Sequence, residues 1–167
     1  MAMSEYVRAL RAKIGNTVLE VPTAAVLVQD DAGRVLLARH AESGSWTVPG
    51  GMIEPHETPA DAAVRETYEE TGVFVALTRV IGVFGGPHCA VTFRNGDQLA
   101  WVATLFAGRP LHGGPRADME ETLEVRYFER RELAELAYRP HVRLFLNAAF
   151  ADQERAWFMP ATWQPAA

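Results

Sequence analysis

A single cysteine, Cys89, is all the thiol chemistry the chain carries, so no internal disulfide can form. No second thiol stands near it to complete a zinc pattern, and it reads as a small buried apolar residue. Long apolar runs are missing too. None approaches the roughly 18 residues a membrane-crossing helix needs, so no membrane partner is expected. The opening stretch, MAMSEYVRALRAKIG, is charged throughout and lacks the apolar core of a secretory leader, which makes a cytoplasmic location the expectation. Positive charge is in short supply: 16 Lys and Arg against 21 Asp and Glu leave a formal net charge of −5. That balance argues against a nucleic-acid partner, whose phosphates reward clustered Lys and Arg. Repeats, low-complexity tracts and long polar linkers are absent, and 167 residues suit one domain spanning 1–167.

What is present alternates between strand and helix signals. Ser4 reads as the cap of an N-terminal helix within residues 1–15, with Tyr6, Leu10 and Ile14 on one side and Gly15 as its stop. TAAVLVQ, after Pro22, is a continuous apolar run of the kind found in buried strands. The Asp30–Gly33 turn then predicts RVLLARH as a returning strand. VFVALTRVIGVFG, rich in β-branched and aromatic residues, reads as another strand. Asn95-Gly96 separates two such runs and predicts a hairpin, because both residues tolerate positive φ. Gly108 to Pro115 reads as a loop, LEVRYF as a strand, ERRELAEL as a short helix, and PHVRLFLNAAFADQ as a longer one. The tail from 139 to 167 ends with Trp157, Phe158 and Trp163, which need burial on their own domain or on a second subunit, so a homodimer is allowed. Pattern alone therefore gives an α/β or α+β domain, with helices covering a mixed sheet.

The stretch from Gly50 to Val73, GGMIEPHETPADAAVRETYEETGV, holds six acidic residues. Thr58 as N-cap, Pro59 in the first turn and Gly72 as stop define a helix over about 59–71. At about 100° per residue, Glu66, Glu69 and Glu70 share one face roughly 100° wide. Ala62 and Ala63 lie on that face, while Val64, Tyr68, Thr71 and Ala60 are expected to pack onto the sheet. Like charges three and four residues apart cost about 0.2–0.5 kcal/mol per pair. Two of the glutamates also occupy the helix end where the dipole disfavours anions. A plain solvated face is one explanation. A site for a hard divalent cation with oxygen ligands is the other.

Gly51, Glu57, Arg65, Glu66, Glu69, Glu70 and Gly72 fit the spacing G-x5-E-x7-R-E-U-x-E-E-x-G-U, where U is a bulky aliphatic residue. This is the Nudix box, and the chain resembles the Nudix hydrolase family. GRVLLARH and GSWTVPGG upstream and EVRYFERREL downstream extend the likeness over most of the chain. The resemblance implies an α/β/α sandwich with a mixed β-sheet. It also implies that Glu66, Glu69 and Glu70, with the Gly50 carbonyl, coordinate Mg²⁺ or Mn²⁺, and that Gly51, Glu57 and Arg65 support the site. The ion would neutralise a diphosphate and activate water. The catalytic base is left among Glu66 and Glu70 in the box and Glu121 in the loop before LEVRYF. Two positions depart from the pattern: Thr67 replaces the first aliphatic, and His56 stands where many members have glycine.

The family's shared reaction is hydrolysis of a nucleoside diphosphate linked to another moiety, which makes a small nucleotide-type molecule the expected partner. Pro87 lies 15 residues beyond Gly72, near the place of a proline that accompanies ADP-ribose pyrophosphatases in the family. Pro87, His88 and Arg39 are therefore the candidate substrate contacts. ADP-ribose or a nucleotide sugar is the favoured substrate, a triphosphate pyrophosphatase acting on damaged nucleotides is the alternative, and a non-catalytic nucleotide sensor is a further one. His40, His56, His88, His112 and His141 show no ligand spacing and read as structural or exposed. Trp46 is open between packing under the glycine loop and stacking on a base.

Overall fold

The computed structural model describes residues 5–151 and 154–165. Ser4, the expected cap of the first helix, lies outside them. Two sheets form the central layer. In the larger, β1 (Leu19–Val28) lies between β4 (Gly50–Met52) and β7 (Gln98–Gly113), with β5 (Val73–Phe84) and β9 (Trp157–Phe158) continuing beyond β7. A short β6 (Ala90–Thr92) also pairs with β7. The β1–β7 and β5–β9 pairs are parallel and the others antiparallel, so the sheet is mixed. The smaller sheet is antiparallel and places β2 (Val35–His40) between β3 (Trp46–Thr47) and β8 (Thr122–Phe128).

Helices cover both faces. Ala24, Val26 and Val28 of β1 pack with Ala62 and Ala63 of α2 (Pro59–Thr71). Ala25 and Leu27 face the opposite way, into a core shared with Phe145, Leu146 and Ala149 of α3 (Pro140–Phe150). A strand buried on both sides has no polar face to show, which explains the uninterrupted apolar run. The architecture is an α/β/α sandwich. A further helix, α1 (Glu5–Ile14), lies against the β1, β4 and β7 side through Val7.

Several sequence expectations need correction. β1 and β2 do not form a hairpin: Asp30 makes the turn, accepting from Ala32 N and Arg34 N, but both edges of β1 are taken by β4 and β7. A lone bridge, Gln29 to Val35, remains between them. The stretch from Gly108 is strand up to Gly113, because β5 continues to pair with it through a register shift beside Pro110. A bulge accommodates the missing N–H of proline. ERRELAEL is only a 3-10 turn, Glu132–Glu135. In α1 the buried residue is Val7, with Leu10, Arg11 and Ile14 half-buried, while Tyr6 is exposed. The Asn95-Gly96 hairpin is present, joining β6 to β7 with Gly96 at φ 89°.

Candidate functional site

The acidic helix begins as its sequence dictates. Thr58 Oγ1 accepts from Asp61 N at 3.1 Å and donates to Asp61 Oδ2 at 2.6 Å, and Pro59 follows in the first turn. Gly72 ends it in the left-handed conformation, its N–H donating to the Tyr68 carbonyl. Its orientation differs in part from the one expected. Thr71 is buried and Val64 packs against the β1 core as expected, but Ala62, Ala63, Thr67 and Glu70 are buried too, whereas Tyr68 is 49% exposed and Ala60 lies in solvent. The two alanines allow the helix backbone to approach β1 and β5 closely, so the carboxylate face looks into the cleft beside β4. Thr67, in the expected aliphatic position, satisfies its buried hydroxyl by donating to the Ala63 carbonyl at 2.7 Å.

Arg65 organises the acids. Its Nε and Nη2 form a fork on Glu57, both at 2.8 Å. Nη2 also donates to the Met52 carbonyl at 3.2 Å, tying the helix to the end of β4. Nη1 reaches Glu66 Oε1 at 2.9 Å and Glu69 Oε2 at 3.1 Å. The Arg65 hydrogen bonds hold the Glu57 carboxyl below its ordinary range, against the effect of burial. Glu54 N adds a further donor to Glu57, at 3.1 Å.

Glycine gives the other two carboxylates their seats. A methyl group on Gly51 would overlap the carboxylate of Glu66. Gly50 sits at φ 154°, where a Cβ would fall 2.6 Å from that of Ala25. Gly50 N donates to Glu70 Oε2 at 3.1 Å, the one hydrogen-bond donor to that carboxylate among the described residues. Glu66 has a side chain 16% exposed, and Glu70 is 7% exposed. Burial pushes the pKa of both upward, well above the ordinary value for Glu70, and repulsion from neighbouring acids adds to it. Arg65 opposes the rise at Glu66; at Glu70 only the Gly50 N–H does so.

Glu121 arrives from a separate loop. Asp118 Oδ1 accepts from the N–H groups of Glu120, Glu121 and Thr122 at 2.8–2.9 Å. Thr122 Oγ1 donates to the Glu70 carbonyl at 3.0 Å, so loop and helix are stitched together. Glu121 contributes to the repulsion felt by Glu66 and Glu70 and lines the same cavity as Glu70. The structure thus brings together Gly50, Gly51, Glu57, Arg65, Glu66, Glu69, Glu70 and Glu121.

Arg39, Pro87 and His88 are placed elsewhere. Arg39 pairs with Glu124 across β2 and β8 at 3.6 Å, with its Nε buried and without a hydrogen-bond partner. Pro87 and His88 are exposed in the β5–β6 connection, and none of the three lines the cavity. Trp46 packs edge-on against Phe128, with ring centroids 4.6 Å apart, and also borders the cavity.

That cavity, about 500 Å³, is lined by Gly50, Gly51, Glu70 and Glu121. Its walls are mostly apolar and include Trp101, His141 and Val7, which packs on Met52, with Arg11 bound to Gln98 at the start of β7. Sequence reading missed Trp101, His141, Val7 and Arg11. Val7, Leu10 and Ile14 at helical spacing were the available signal for α1; nothing in the local sequence marks His141.

Among the described residues, no three Asp, Glu, His or Cys side chains already converge as a metal site. Arg65 accounts for this by drawing Glu66 and Glu69 to itself. The donor set nevertheless fits a hard divalent cation: it offers carboxylate oxygens, Glu70 is buried, and Glu70 has no cationic partner among the described residues.

An α/β/α sandwich with a glycine-seated acidic helix whose Glu70 lines an aromatic-walled cavity defines a Nudix-type domain. Comparison with known proteins agrees, since the family model for the NUDIX domain matches residues 19–148. The chain belongs to the Nudix family. It is 35% identical over 102 residues to a MutT-like protein of Streptomyces ambofaciens, covering 61% of this chain and 59% of that one. It is 41% identical over 102 residues to a putative 8-oxo-dGTP diphosphatase of Bacillus subtilis (strain 168), covering 61% and 62%. The chain thus spans about three-fifths of the length of these curated relatives. A solved NUDIX hydrolase from Nitrosomonas europaea superposes with TM-score 0.65 at 22% identity, over 80% of this chain and 90% of that one. No described helix is long and apolar enough to cross a membrane.

Proposed function

We propose that the chain is a divalent-metal-dependent pyrophosphohydrolase, cleaving the diphosphate of a nucleoside diphosphate linked to another moiety. The observation that carries this is a pair of carboxylates, Glu70 buried and lining the aromatic-walled cavity and Glu66 beside it with a side chain 16% exposed, seated on Gly50 and Gly51. Buried like charge without compensation is costly. Glu66, Glu69 and Glu70, with the Gly50 carbonyl, would hold Mg²⁺ or Mn²⁺. When bound, the ion supplies charge neutralisation for the diphosphate and a more acidic water.

The chain's own residues do the rest. Arg65 keeps Glu57 and the β4 end in place and sets the directions of Glu66 and Glu69. Glu70 and Glu121, which line the same cavity, are the proposed acceptors of the attacking water's proton. Glu66 is the remaining candidate.

ADP-ribose or a nucleotide sugar is the substrate reading taken from Pro87. A second reading, a nucleoside triphosphate pyrophosphatase, is favoured by the positions of Pro87 and His88 outside the cavity and by the name of the Bacillus relative, a putative 8-oxo-dGTP diphosphatase. Incubation with a panel of nucleotides, nucleotide sugars and dinucleotides, with and without Mg²⁺, and mass detection of products separates these readings. Metal-dependent release of a nucleoside monophosphate supports cleavage. Tight nucleotide binding without product would instead indicate a sensor.

A further inference from the structure

α1 lies outside the matched segment 19–148, yet its Val7 and Arg11 line the cavity. Val7 packs with Val21 and Met52 against Leu99 and Trp101. Arg11 holds the helix in that place. Its side chain is only 9% exposed, and its Nε lies 4.0 Å from Asp97 Oδ1. Nη1 donates to the carbonyls of Gly15 at 3.1 Å and Thr17 at 2.7 Å, and Nη2 to that of Gln98 at 2.6 Å. One guanidinium therefore joins the end of α1, the connection to β1 and the start of β7. A planar fork with donors in fixed directions suits this task in a way an ammonium does not.

The space between α1 and the carboxylates has a definite chemistry. The Trp101 ring stands edge-on to His141, with centroids 5.2 Å apart and an interplanar angle of 90°. His141 also meets Phe145, with centroids 5.5 Å apart. Burial, with Arg139 adding, pushes the His141 pKa down to about 4, so its imidazole is neutral. Walls that include Trp46, Phe93, Trp101 and Phe145, with polar groups such as His40, Asn95 and Arg139 between them, suit the face and edge of a flat ring better than a polyhydroxylated sugar.

We propose that α1 is the wall that selects what a substrate carries beyond its diphosphate, with Arg11 as its positioning residue. The selected group is a flat, weakly polar ring of nucleobase size seated against Trp101. This rests on the cleavage reading for the direction of the diphosphate, toward Gly50 and Glu70.

Calorimetric titration of the full chain with AMP and GMP, and with ribose 5-phosphate as the ring-free control, tests it. The two variants are Arg11→Ala, which releases the wall, and Val7→Phe, which fills the ring site, each checked for native circular dichroism. Wild type should bind the nucleotides about tenfold or more tightly than ribose 5-phosphate, the scale of one base stacked on an aromatic side chain. Each variant should remove most of that preference. In turnover assays KM for ring-bearing substrates should rise about tenfold while kcat changes less than roughly threefold, a split that general damage to the fold does not produce. Equal binding of ring-bearing and ring-free compounds by wild type overturns the proposal. So does a full preference retained by either folded variant; should Arg11→Ala not fold, Val7→Phe decides. Ring-selective binding with no hydrolysis of any substrate tried would remove the cleavage reading and leave this one supported.

Discussion

The amide of Gly50 donates to the carboxylate of Glu70 across twenty positions of sequence, at 3.1 Å. That single N–H is all that opposes the burial of Glu70 and the repulsion from Glu66, Glu121 and Asp118. A carboxyl whose folded pKa is raised contributes stability below its unfolded value and loses it as pH rises toward the folded one. The metal-free protein should therefore become less stable through this group as pH rises above the ordinary carboxyl range. Glu70→Gln should flatten that slope in thermal melts while lowering metal-dependent turnover by orders of magnitude. Unchanged turnover of Glu70→Gln in saturating Mg²⁺ would take the residue out of the chemistry.

Gly51→Ala tests the seat of Glu66. The added methyl overlaps the carboxylate, so the side chain must leave its position and its Arg65 contact. A loss of about 1–3 kcal/mol in urea melts is expected, the scale for overpacking a tight site. Metal affinity, measured by calorimetry with nucleotide present, should fall together with it. A variant with wild-type stability and metal binding would show that the close approach is dispensable.

His56 occupies a left-handed position, φ 71°, in an exposed turn. This accounts physically for the glycine many family members carry there. Relieving the strain while adding unfolded-state freedom should leave His56→Gly more stable by about 0.5–1 kcal/mol. For a chain of this size, a rise of about 2–4 °C in Tm per kcal/mol makes that measurable. A lower Tm would mean that the imidazole contributes more than its backbone strain costs.

His141 gives the acid side of the pH profile. Its pKa is lowered from 6.5 to about 4 by burial, with Arg139 adding. The unfolded chain therefore takes up a proton first, and stability is lost as pH falls from 6.5 toward 4, by roughly 3 kcal/mol at most. His141→Phe should remove that part of the acid sensitivity. NMR titration of the imidazole checks the cause directly; an ordinary midpoint near 6.5 would exclude it.

Local rules made the acidic helix legible. Thr58, Pro59 and Gly72 mark its ends by capping chemistry that depends on neighbours in sequence, and Asn95-Gly96 marks its hairpin for the same reason. Which face the helix buries was not local. Small side chains at 62 and 63 permit close packing, and that outcome depends on β1 and β5 rather than on hydrophobic periodicity. The extent of β7 was hidden because glycine and proline punctuate a sequence whether or not a partner strand imposes pairing. The cavity was hidden most completely: Val7, Trp101 and His141 come from α1, β7 and α3 and meet only in the folded chain. Arg39, Pro87 and His88 illustrate the converse, being close to family landmarks along the chain yet outside the cavity lining.

Arg65 divides its nitrogens between two duties. Nε and Nη2 grip Glu57 and the end of β4, while Nη1 alone touches Glu66 and Glu69. Under the proposed metal-binding reading, those two acids would turn to the cation without loosening the clamp beneath them. The same guanidinium would then act as permanent anchor and temporary counter-ion, and arming the site would need side-chain rotation rather than movement of the helix.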